Sequence, residues 1–219
     1  ASGLVNGSDV IHLLDHHRCH ADIIEYSNKE FYEGRLRVAT NYDRLKRRTS
    51  GDPGIRWIDV KGETKRPVTG GAINIAEVNA VCAEIEDLIL HKGYEGTIGV
   101  VCPFRAQANA IRERISLHEH LFRHLDKAEL LVDTVHRFQG DERDIMIFSP
   151  TISNGAQPGT LSFLSNNKNL FNVAITRARA QLIVVGDQQY CSECGIEYFQ
   201  NFVKYYNGLK FKTPESISH

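Results

Sequence analysis

Arg177 and Arg179 close the run Asn172-Val173-Ala174-Ile175-Thr176-Arg177-Ala178-Arg179, and guanidinium groups in such apolar company need anions. Leu170, Phe171, Val173, Ala174, Ile175 and Ala178 cover most of a helical circumference, so the run reads as a helix inside a layered domain. Two residues apart, the arginines point ~200° apart around that helix. Arg177 continues the inward face and Arg179 points away from it. An inward guanidinium beside a buried sheet is expensive unless an anion meets it. A carboxylate in a structural ion pair and a phosphate both satisfy that need, and these residues alone leave both open.

Other polar clusters follow apolar runs. His16-His17-Arg18-Cys19-His20 comes after Val10–Leu14, and its histidines have neither an HExxH spacing nor a companion carboxylate, so a loop tipped by Arg18 is expected rather than a metal site. Cys191-x-x-Cys194 has metal-like spacing but no second Cys/His pair after it, so free thiols are expected there. No metal site is expected. His136-Arg137-Phe138-Gln139-Gly140-Asp141-Glu142-Arg143 follows another apolar run. The chain contains no Gly-x-x-x-x-Gly-Lys-Ser/Thr and no Gly-x-Gly-x-x-Gly opening a helix. Arginines suited to phosphate therefore stand without a loop that cradles phosphate.

These residues must be held by a scaffold of 219 residues, 42% hydrophobic and 24% charged, ordinary values for a globular protein. A net charge of −1 gives no global pull toward nucleic acid, so any such surface is a local patch. No run is long and apolar enough to span a bilayer, and no secretory signal is evident, so no membrane partner is expected. An odd set of five cysteines without framework spacing argues for a reducing compartment, hence a cytoplasmic, intracellular location.

Strand signals fall at Val10–Leu14, Ile55–Val60, Thr97–Cys102, Leu130–Val135, Ile145–Phe148 and Leu182–Val185. Helical spacing covers Ile73–Leu90 and about Arg105–Ser116, with an interrupted helix around Ser27-Asn28 and an aromatic helix or loop over Tyr198–Tyr206. Alternating segments with continuously apolar strands predict a three-layer α/β/α domain, its mainly parallel sheet covered by helices on both faces. Residues 1–9 are expected to be a frayed or appended end, 10–207 the domain and 208–219 a tail. In such sheets ligands gather beyond the carboxyl ends of the strands.

Thr134-Val135-His136-Arg137-Phe138-Gln139-Gly140-Asp141-Glu142-Arg143-Asp144 resembles motif V of superfamily 1 helicases, and Asn172–Arg179 resembles their motif VI. Arg18-Cys19-His20 with Ser27–Gly34, Asn74-x-x-Glu77 and Ile98–Gln107 are similar to further segments of the Upf- and Dna-type subgroup. The resemblance covers roughly residues 10–190 and departs at His16-His17, Cys19, Ala21 and Cys102, where the family has Gln-Tyr, Met, Pro and Thr. It implies the second of two RecA-like, P-loop-NTPase-like domains that hold ATP and Mg2+ between them, the first carrying the Walker loop and metal site. It further implies that Arg18 and Arg177 reach the γ-phosphate and that Gln139, Gly140 and Glu142 lie near the nucleotide. Cys102, Pro103, Phe104, Thr134 and His136 would lie along the track of a single-stranded nucleic acid. The partners so implied are that strand and the N-terminal motor domain, and the chain alone would not hydrolyse ATP. A non-catalytic binding module on the same fold is the alternative. A metal-dependent nuclease is disfavoured because no carboxylate-plus-lysine cluster is visible.

Overall fold

The computed structural model describes residues 15–16, 19–47, 52–138 and 140–210. A two-residue strand β1 (Asp15–His16) pairs in parallel with β2 (Arg37–Val38), with α1 (Ala21–Phe31) between them. Then come β3 (Ile55–Asp59), α2 (Ile75–Glu86), β4 (Ile98–Cys102), α3 (Arg105–Ser116), α4 (Glu119–Phe122), β5 (Leu131–Thr134) and β6 (Arg143–Phe148). The chain continues through α5 (Pro158–Asn166), α6 (Lys168–Thr176), β7 (Ala178–Gly186), α7 (Gln188–Glu193) and α8 (Glu197–Lys210). The main sheet has five strands in the order β3-β7-β6-β4-β5, and every pairing in it is parallel.

Both faces are covered, which is why β4 is buried at every position and reads as an unbroken apolar run. On one face α2 and α3 bring Val81, Ile85 and Ile111 against Val100, Ile147 and Ile183. The other face is aromatic. Phe171 of α6 lies 5.4 Å from Phe148, 5.0 Å from Tyr198, 5.2 Å from Phe199 and 5.3 Å from Phe202, centroid to centroid. The fold is thus the expected three-layer α/β/α domain with a parallel sheet. Among the described residues no helix is long and apolar enough to cross a membrane.

Several elements differ from expectation. Helix α1 runs unbroken through Ser27-Asn28. Ser27 Oγ donates to Asn172 Oδ1 at 2.6 Å, and Asn28 exchanges two hydrogen bonds with the Leu36 backbone, so both polar side chains are satisfied without breaking the helix. Helix α8 extends through Lys210, past the boundary expected at 207. The strand expected at Val10–Leu14 and the end at 1–9 lie outside the described residues.

The helix of the Asn172–Arg179 run stops at Thr176, and strand β7 begins at Ala178. Arg177 is the cap between them rather than a residue of the inward helical face. Arg179 belongs to the strand. The turn is fixed by Arg143 N–H, which donates to Arg177 O at 2.9 Å and draws the chain into the sheet.

Candidate functional site

Arg177 sits at the amino end of β7, beside the start of β6. Its Nε donates to Val173 O at 3.3 Å, which turns the half-buried side chain back along its own helix. Among the described residues no carboxylate lies within 4.0 Å of its guanidinium. The Gly140-Asp141-Glu142 turn reaches the same end of the sheet, with Gly140 at φ +87° and Asp141 N–H donating to Phe138 O at 3.1 Å. Cys19 also arrives here, its Sγ 3.6 Å from Thr176 O, while His20 N–H donates to Arg179 O at 2.8 Å. Arg18 and Gln139 lie outside the described residues.

Arg179 and Arg143 differ from Arg177 in having acids. Arg179 pairs with the buried Asp144 at 3.5 Å, and Arg143 with Asp141 at 3.0 Å. Asp144 is also tied to β4's approach, its Oδ2 accepting from both Thr97 N–H and Thr97 Oγ1 at 2.9 Å. An ion pair is therefore the fate of Arg179, while Arg177 has no carboxylate partner among the described residues.

The second group of expected residues lies at the other end of the sheet, where β4 and β5 finish. An open groove of about 650 Å³ is lined by Arg105, Asn109, Arg112, Asp133, Thr134, His136 and Arg137. Arg112 is neutralised by Asp133 at 3.3 Å and tied to Val132 O at 2.6 Å. Arg105 and Arg137 are exposed and have no carboxylate within 4.0 Å among the described residues. A groove with two uncompensated guanidinium groups, a hydroxyl and an imidazole suits a chain of phosphates. Thr134 and His136 line it. Pro103 borders a small apolar cavity, and Phe104, 8% exposed, packs against Phe163. Cys102 requires a correction. It is fully buried at the end of β4 and its thiol is pushed up by burial, so its side chain offers nothing to a strand of nucleic acid.

Ligands were expected beyond the carboxyl ends of the strands; the structure puts Thr134 and His136 at that end but Arg177 and Gly140–Glu142 at the other. Arg105, Asn109 and Arg112 line the groove together because their i, i+4, i+7 spacing along α3 puts them on one face.

Between α2, α3 and the loop after β6 lies a sealed polar cluster. Glu77, with no exposure, accepts from Asn74 Nδ2 at 3.1 Å, Ser149 Oγ at 2.5 Å and Thr151 N–H at 2.8 Å. Gln107 binds Asn74 through both its oxygen (2.9 Å) and its nitrogen (3.2 Å), and donates to Ser149 Oγ at 3.0 Å. Burial pushes the Glu77 carboxyl up to about 8, against the pull of its three donors. Thr151 is held at φ +65°, a left-handed conformation costly for a β-branched residue.

The model of an AAA domain family, AAA_12, matches residues 4–189. The chain belongs to this AAA domain family, of the superfamily 1 helicase type. Relatives of this AAA domain are similar along most of the chain. The DNA polymerase alpha-associated DNA helicase A of Saccharomyces cerevisiae is 28% identical over 89% of this chain and 30% of its own length. Helicase sen1 of Schizosaccharomyces pombe is 30% identical over 79% of this chain and 10% of its own length. The human RNA helicase Mov10l1 is 30% identical over 85% of this chain and 16% of its own length. The AAA domain described here thus spans less than a third of each of these proteins.

Proposed function

We propose that this AAA domain is the second motor half of an ATP-dependent helicase or translocase that acts on single-stranded DNA or RNA. The observation that supports it best is Arg177, a half-buried guanidinium at a sheet end with no carboxylate within reach among the described residues. Its role is to stabilise charge on a transferring phosphoryl group, with Gly140 and Glu142 beside the nucleotide. Arg18 and Gln139 are assigned to the same site by the family motif alone. Bound ATP with its magnesium supplies the γ-phosphoryl group and the compensating metal charge.

Among the described residues no group of three or more His, Cys, Asp or Glu gathers to hold a metal. The phosphate-cradling loop is also not in this sequence. The domain therefore fits the terminal phosphate through Arg177 but not the metal, which is assigned to an N-terminal motor domain facing it. Purified alone, the chain should show no significant ATP hydrolysis, with or without oligonucleotide. Robust turnover that Arg177→Ala abolishes would overturn the two-domain reading.

The groove at the carboxyl end is assigned to the nucleic-acid backbone. Replacing Arg105 or Arg137 by alanine should weaken oligonucleotide binding for every sequence alike. Each change should also reduce the steepness of the salt dependence by about one counterion. Fluorescence anisotropy at several salt concentrations measures both. An affinity that ignores salt would remove the groove from the path.

A further inference from the structure

Phe163 is 39% exposed on α5, although large apolar side chains with buried neighbours normally turn inward. Its ring stands against Phe104, centroid to centroid 5.3 Å at an interplanar angle of 45°. Phe104 is itself covered and immediately precedes Arg105 of the basic groove. Pro103 and Val135 complete the floor under Phe163, and Val135 immediately precedes His136 of the same groove. An exposed aromatic face on a rigid apolar base thus adjoins the lane of uncompensated guanidinium groups. Basic lanes flanked by aromatic rings bind single strands by combining phosphate contacts with base stacking.

The geometry points to Phe163 as a stacking platform that receives one base of a strand whose phosphates lie against Arg105 and Arg137. This rests on the nucleic-acid reading of the groove, and it adds a binding residue outside the helicase motifs. Phe104 backs the ring on one side, and Phe148, Leu164, Phe171 and Phe199 line the small apolar cavity that the ring borders. Stacking needs only a π-face, so the site is indifferent to base identity.

The test uses the full chain with a short oligothymidylate and a short oligouridylate. Phe163→Leu keeps the apolar cover over Phe104 but removes the ring; it should weaken binding about tenfold, within the range of one base–aromatic stack, and leave the salt slope unchanged. Phe163→Trp should retain affinity and gain a fluorescence signal that is quenched on binding, distinct from the covered Trp57. Wild-type affinity in the leucine variant, or an unquenched tryptophan at saturation, overturns the platform while leaving the phosphate groove standing. If neither oligonucleotide binds the wild-type chain, both the platform and the groove reading fall.

Discussion

In the full-length protein, Arg177→Ala is expected to lower nucleic-acid-stimulated ATP turnover by about 10³-fold or more, the usual worth of an arginine that meets a transferring phosphoryl group. The domain itself should barely notice. Arg177 has no ion pair to lose among the described residues; its contact is one Nε–H donated to Val173 O at 3.3 Å, on the border of the sheet. Thermal melts of the variant should therefore stay within about 0.5 kcal/mol of wild type, as for a surface substitution away from packing. Arg177→Lys should recover little, because a single ammonium lacks the planar fork that grips two phosphate oxygens. Steady-state ATPase assays and melts on the same preparations separate chemistry from folding. Wild-type turnover in Arg177→Ala would reject the role, and a collapse in stability would reassign the residue to structure. A full-length protein that binds nucleic acid without hydrolysing ATP would favour a non-catalytic module.

The largest stability effect is expected at Glu77. Both carboxylate oxygens accept, one from Asn74 and the other from Ser149 and Thr151. In Glu77→Gln one oxygen becomes an NH2 group that faces a donor, leaving buried groups unmatched at about 1–3 kcal/mol. The pH dependence carries a definite sign. The folded carboxyl is pushed up to about 8 by burial, against its ordinary value of 4.5 in the unfolded chain. Between those values the unfolded chain has released a proton that the folded chain still holds, so this group's contribution is full below about 4.5 and is lost as pH rises through 8. Denaturant melts across that window should show a decline in wild type that Glu77→Gln lacks. Equal slopes in the two proteins would show that Glu77 does not titrate there.

Much of the scaffold was legible because the inner strands β4, β6 and β7 carry apolar runs covered on both faces; the edge strands β3 and β5 also fall on segments read as strands, although they hold Arg56, Asp59 and Asp133. That same continuity hid Cys102. A run with no inward–outward alternation cannot say which residue reaches a surface, and Cys102 does not. The end of the helix at Thr176 was illegible for another reason. Ala-Arg-Ala is a good helical sequence, and only pairing with β6, through Arg143 N–H to Arg177 O, diverts it into strand. Helix α5, which carries Phe163, was missed because its Pro-Gly-Thr start reads as loop. The division of the candidate residues between two ends of the sheet depends on where each strand begins and stops, which spacing alone does not record.

Strand β6 runs from Arg143, beside Arg177, to Phe148, next to the loop that Glu77 anchors, six residues or about 20 Å. It is paired on both sides by parallel neighbours, with helices above and below. Such a slab resists bending, so a force applied at one end reaches the other as displacement of the whole body rather than as deformation within it. The compliance that sets the length of any step then belongs to the joints around the slab, and the sheet acts as a lever of fixed length.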